Sequence, residues 1–171
     1  MTMYRTKTYI AADWSEDENA VDQLRKWNES DYWDLSFTDA HNLTQARDNS
    51  LNCSIKASLK KRLDVSKTFV LIVGKQTKNL KSGSCQYCNY YSKNTDSCAN
   101  GRGVDFRSYI EYECDIAKND INKIIVLYKS TSIDEDKCPD ALVYRGRHRK
   151  MIMFKDGKLQ WHYQEVKSAF K

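Results

Sequence analysis

Three sets of residues have the types and spacings that chemistry needs. Cys85-Gln86-Tyr87-Cys88 has the spacing of a zinc knuckle, and Cys98 follows it as a third thiol. A structural zinc there would hold a segment with little hydrophobic content of its own. The fourth ligand is open among Cys53, Cys114, Cys138 and a distant His, and redox thiols or a disulfide are alternatives. Glu111, Glu113 and Asp115 bring three carboxylates to one helical stretch, where residues two apart project in different directions. Any one of them could steady a developing positive charge, and an ordinary surface ion pair is the alternative. Ala12, Asp13 and Trp14 follow an apolar run, and Asp39 and His41 stand in a later polar loop. Trp14 offers a face to stack on a planar ring, and Asp13 or His41 could bond hydroxyls. Helix capping by Asp13, core packing by Trp14 and an exposed loop for His41 are the competing readings.

Other cradles are missing. No G-x-G-x-x-G follows the first apolar run, and no G-K-[S/T] phosphate loop occurs anywhere. Arg145, Arg147, His148, Arg149 and Lys150 form a short basic run within a net charge of +5. One such run is read as a solvated turn rather than a nucleic-acid footprint, so nucleic acid is ranked last among partners.

Those residues must be positioned by a fold, and its elements follow from the apolar pattern. The chain has 171 residues, 40% hydrophobic and 30% charged, with one proline and six glycines, which suits one compact domain over 1–171. Residues 7–12 (KTYIAA) read as a strand, and Ser15 with Glu18 as a capping box before a helix carrying Ala20, Leu24 and Trp27. A second strand is expected over 32–37 (YWDLSF). Ile55, Leu59 and Leu63 mark the apolar side of a second helix, with Lys56, Lys60, Lys61 and Arg62 exposed. Residues 68–73 (TFVLIV) and 123–128 (KIIVLY) are continuous apolar runs of the kind buried on both faces of a parallel sheet. A helix over 108–119 lies between them. Cys53 and Cys114 fall in helical patterns and read as buried hydrophobes. Residues 75–107 form a Cys-containing insertion, and residues 129–171 a C-terminal region with a hairpin at Asp156-Gly157. The opening residues lack the apolar core of a signal peptide and no stretch is long enough to span a bilayer, so a cytoplasmic location without membrane attachment is expected.

This order is that of an α/β, flavodoxin-like doubly wound, mostly parallel five-stranded sheet. A phospho-receiver reading fails because the third strand ends in Gly74 where a phosphoacceptor Asp would stand. The segments TYIAADWSED, SIKASLKKRLDVSKTFVLIVG, RSYIEYECDIAKNDINKIIVLY and PDALVYRG, with MIMF, the Asp-Gly-Lys turn and Trp161, together resemble the TIR-like proteins of Thoeris anti-phage systems. The insertion has no counterpart in that pattern. The resemblance implies cleavage or cyclisation of NAD, releasing nicotinamide and an ADP-ribose-type signal for a partner effector. It selects Glu113 as catalytic through the aromatic-x-x-Tyr-Glu pattern of Tyr109, Tyr112 and Glu113. Ala12, Asp13, Trp14, Asp39 and His41, in loops at the same expected sheet edge, are with Tyr109 the expected substrate contacts. NAD would be substrate, with no cofactor required. A non-catalytic adaptor acting by self-association is the competing function.

Overall fold

The computed structural model describes residues 4–40 and 51–171, so His41 lies outside the described residues. Strands β1 (Lys7–Ala11), β2 (Ser66–Val73), β5 (Lys123–Tyr128) and β6 (Arg147–Lys150) form a parallel sheet in the order β1-β2-β5-β6. Side chains alternate across it. Phe69, Leu71 and Val73 face one layer with Ile124, Val126 and Tyr128, and Val70 and Ile72 face the other with Ile125 and Leu127. Helices α2 (Asn52–Asp64) and α3 (Tyr109–Asp120) cover the first face. Helices α1 (Glu18–Glu29) and α4 (Tyr163–Phe170) cover the second. Both apolar runs are therefore buried on two sides, as their lack of alternation requires.

The expected second strand is reduced to one parallel bridge, Thr8 to Asp39, with the Thr8 N–H donating to the Thr38 carbonyl at 2.7 Å. Asp34 and Ser36 adopt φ of 40° and 55°, left-handed values that turn the chain instead of extending it. The bridge lies on the side of β1 away from β2, so the chain reverses direction across β1. That reversal is the switch point at which open α/β sheets form a crevice.

Four local expectations are corrected. Ser15 does not cap α1; its N–H and hydroxyl both donate to Asp13 Oδ1, at 3.1 and 2.6 Å, and Asp17 occupies the cap position. The capping box is on α3, where Ser108 and Glu111 bond reciprocally. Lys56 and Arg62 are buried, not exposed. The basic run 147–150 is the fourth strand of the sheet, with His148 Nδ1 at 2.9 Å from the Tyr128 hydroxyl. Strands β7 (Ile152–Lys155) and β8 (Lys158–Trp161) make the hairpin that Asp156-Gly157 predicts, both turn residues having positive φ.

The insertion contains the two-stranded hairpin β3 (Tyr91–Ser92) and β4 (Ser97–Cys98). It returns to α3 through residues 105–107, which Lys56 grips. The Lys56 ammonium donates to the Arg107 carbonyl at 2.7 Å and the Asp105 carbonyl at 3.3 Å, and pairs with the Asp105 carboxylate at 3.5 Å.

Candidate functional site

Strand β1 ends at Ala11, and the next residues turn across the carboxyl edge of the sheet. There Ala12, Asp13, Trp14 and Ser15 form one wall of a cleft of about 420 Å³. Ile55 and Leu59, on the half-buried side of α2, line it with Leu80 and Ser82 from the start of the insertion, and Tyr109, Ile110 and Glu113 of α3 complete it. The volume lies within the roughly 300–1,000 Å³ of small-molecule sites. Of the residues singled out from the sequence, the cleft brings together Ala12, Asp13, Trp14, Tyr109 and Glu113. Sequence reasoning missed Ser15, the α2 pair Ile55 and Leu59, Leu80 and Ser82, and Ile110. The period of α2 marked Ile55 and Leu59 as inward-facing, but nothing in the sequence marks which end of that face stays open.

Among the carboxylates of α3, Glu113 is the one that burial singles out. It is 7% exposed, and the hydroxyl of Tyr9, on β1, donates to its Oε1. Burial pushes the Glu113 carboxyl up to about 7, against the opposing effects of the Tyr9 hydrogen bond and the Arg62 guanidinium. Tyr9 is fixed by stacking on Phe69 at 5.7 Å, and burial and the adjacent carboxylate raise its own pKa well above the ordinary value, so it remains a donor. Glu111 is committed to the capping box, and Asp115 pairs with Arg107 at 3.1 Å. Of the four carboxylates of this helix, Glu111, Glu113, Asp115 and Asp120, Glu113 alone lines the cleft.

Trp14 is 38% exposed, with the Arg25 guanidinium 5.4 Å from its ring centroid. Asp39 does not line the cleft. It holds Arg25 at 3.2 Å, and Arg25 in turn lies over the Trp14 ring. Tyr109 donates to Asn52 Oδ1 at 2.9 Å, and burial together with the nearby sulfurs of Cys53, Cys88 and Cys85 pushes its hydroxyl up to about 12. Gly83 lets the insertion lie over Tyr109: its φ is +99°, and a Cβ there would stand 2.6 Å from the ring. At the other side of the sheet edge, Asp17 is buried, paired with Lys129 at 3.2 Å, and packed against Gly74, where a Cβ would meet its carboxylate at 2.0 Å. That end of β2 is closed by Asp17, which leaves the α2–α3 side as the open one.

Cys85, Cys88 and Cys98 do not line this cleft. Cys114 is buried in the core as expected, whereas Cys53 is half-buried and accepts a hydrogen bond from Arg102 at 3.0 Å. No helix among the described residues is long and apolar enough to cross a membrane.

Residues 9–82, a little under half of the chain, match the family model described as Thoeris protein ThsB, TIR-like domain. The matched span contains the end of β1, Trp14, α1, α2, β2 and the start of the insertion, and stops short of α3. No curated protein matches the chain.

Proposed function

We propose that this chain, whose residues 9–82 match the Thoeris ThsB TIR-like domain, is a TIR-like protein of that type and cleaves the bond between nicotinamide and ribose in NAD. The observation that carries the reading is a buried helix carboxylate, Glu113, set with Asp13 in the wall of a cleft that also presents an aromatic face, Trp14. Most glycosidic bonds need an acid to protonate the leaving oxygen as well as a second carboxylate. Nicotinamide in NAD is already cationic. When its bond to C1′ breaks, the electron pair goes to the ring nitrogen and neutral nicotinamide leaves without a proton. The charge that develops is positive and sits on the ribose, where one ionised carboxylate stabilises it. Water, or a nucleophile within the same molecule, then adds at C1′ with loss of its proton, giving ADP-ribose or a cyclic isomer.

The residues of the cleft suit the parts of that reaction. Tyr9 holds the Glu113 carboxylate from behind through Oε1. A cationic nicotinamide in the cleft favours the ionised form of Glu113, so substrate itself charges the catalytic group. Trp14 stacks on the nicotinamide ring or the base, and Asp13 accepts from ribose hydroxyls. The product acts as a signal to a partner effector in anti-phage defence.

The experiment is incubation of the purified chain with NAD, following nicotinamide by chromatography. Release is expected from wild type. A chain that assembles into oligomers while leaving NAD intact would support the adaptor reading instead. Trp14→Ala is expected to raise KM for NAD about tenfold, the loss of roughly 1.4 kcal/mol of stacking. It should leave kcat within a few-fold, and an unchanged KM would remove Trp14 from the binding surface.

A further inference from the structure

Cys85, Cys88 and Cys98 do not stand together as metal ligands among the described residues. What the insertion offers instead is a second pocket beside the first.

The cleft that holds Glu113 has acidic walls only. Asp13 and Glu113 line it, and no lysine or arginine among the described residues does. Such walls suit a cationic nicotinamide and ribose hydroxyls, but they repel a pyrophosphate. A site that takes phosphates normally answers them with cations or backbone N–H groups. The rest of a dinucleotide must therefore leave the cleft on a side where cations stand.

That side is marked by Leu80. It is a wall of the cleft and also of a second pocket of about 350 Å³. The strap of chain after Leu80 separates the two, with Ser82 lining the first and Lys81 and Ser84 the second. The strap is fixed at both of its serines. The Tyr109 N–H donates to the Ser82 carbonyl at 2.8 Å, and Asn52 Nδ2 donates to the Ser84 carbonyl at 3.1 Å.

The second pocket has the groups that the first lacks. Lys78 and Lys81 line it. Lys78 pairs only with Asp140, whose side chain is 88% exposed, and Lys81 makes no ion pair among the described residues, so both can turn to an anion. Glu111, the carboxylate that also lines this pocket, is committed to the Ser108 N–H at 2.8 Å. The insertion adds two rings to the same wall, Tyr87 and Phe106, which are 58% and 49% exposed. Phe106 is held in place. Its ring meets Tyr91 edge-on at 5.5 Å, and Lys56 grips the carbonyl of the next residue at 2.7 Å. Two large rings left in water at one pocket are a surface for a planar, apolar-faced ligand. Gln86 contributes an amide, which carries both a donor and an acceptor for the edge of a purine.

We propose that this second pocket binds the adenosine diphosphate part of NAD, with Lys78 and Lys81 on the phosphates and the adenine ring against Tyr87 and Phe106. The choice of ligand rests on the cleavage of NAD in the neighbouring cleft. The substrate crosses the strap at Leu80, and Trp14 is left to the nicotinamide ring. Binding energy from this unreacting part of the molecule holds the nicotinamide end at Glu113. Cleavage leaves the adenosine diphosphate part unchanged, so ADP alone competes with NAD.

The test is calorimetric titration of the full chain with ADP and with inorganic pyrophosphate, beside NAD kinetics. ADP is expected to bind wild type more tightly than pyrophosphate does. Lys81→Ala should weaken ADP binding about tenfold, the loss of one charge-assisted bond, and raise KM for NAD by a similar factor. Tyr87→Ala should weaken ADP binding about as much through lost stacking, yet leave pyrophosphate binding unchanged. Both side chains are exposed, and titration of wild type requires no variant to fold. A wild-type chain that does not bind ADP overturns the proposal even where it cleaves NAD. ADP binding untouched by Lys81→Ala and Tyr87→Ala overturns it equally, and pyrophosphate binding as tight as that of ADP removes the adenine from the rings. ADP held through Lys81 and Tyr87 by a chain that leaves NAD intact upholds the pocket and ends the reading of the cleft as a site of cleavage.

Discussion

Glu113→Gln is expected to slow nicotinamide release from NAD by about 10²–10³-fold and, in the same protein, to raise stability above neutral pH. Gln keeps the shape of Glu and an oxygen that accepts from the Tyr9 hydroxyl, so the cleft is preserved while the charge is lost. The stability effect follows from the carboxyl's shift from 4.5, the ordinary value, to about 7 in the folded protein. Between those two values the folded chain holds a proton that the unfolded chain has released. Stability therefore falls as pH rises from 4.5 through 7, and above that the folded state carries the full cost of a buried charge, about 3 kcal/mol. Gln never ionises, so its curve lacks this fall. Urea unfolding at pH 5 and pH 8 should show the two proteins drawing together at the lower pH and the variant ahead at the higher. Parallel curves would mean that Glu113 is not buried as described. Equal nicotinamide release would end its catalytic role, whatever the stability curves show. The ionised form does the work, so kcat/KM of the wild type should rise with pH through about 7. A residue that destabilises its own fold at working pH is easier to account for by function than by packing.

The sequence showed most clearly what periodicity and burial determine together. The runs at β2 and β5 are apolar on both faces because both faces are covered, and no surface element has that pattern. The Asp156-Gly157 turn was equally plain, because few residue pairs accept two positive φ values. What stayed hidden was decided by partners far along the chain. Strand β6 is composed of Arg147, His148, Arg149 and Lys150, a composition that says solvent. It forms because the parallel sheet offers β5 as a template, and because its side chains find acceptors: Ser168 for Arg149 and the Ala169 carbonyl for Arg147. Residues 32–37 are the opposite case, apolar enough for a strand but bent by left-handed Asp34 and Ser36. At the cleft, the loop after β1 and the carboxylate of α3 were legible because the switch point of such a sheet is set by its topology. Leu80 and Ser82 were not, because the insertion that carries them is positioned by α2 and not by any pattern of its own.

That dependence on α2 can be measured at Lys56. A lysine at this position of a helix, among Lys60, Lys61 and Arg62, suggests a solvated face, yet its ammonium is buried and reaches two carbonyls and one carboxylate of the returning insertion. It also lies 5.7 Å from the Tyr112 ring centroid. Lys56→Met retains the length of the stem and removes the charge. The carbonyl of Arg107 then loses a bond at 2.7 Å, and Asp105 keeps only Arg107 as a cationic partner. The expected loss is about 2–3 kcal/mol in urea unfolding, below the full cost of breaking a buried pair because Asp105 is partly exposed. Asp105→Asn combined with Lys56→Met should cost less than the two changes added, since they share one interaction. Limited proteolysis should cut between residues 75 and 107 faster in Lys56→Met than in wild type, because the return of the insertion to Ser108 is where the grip is lost. A variant within about 0.5 kcal/mol of wild type, with an unchanged cleavage pattern, would show that the insertion is held without Lys56.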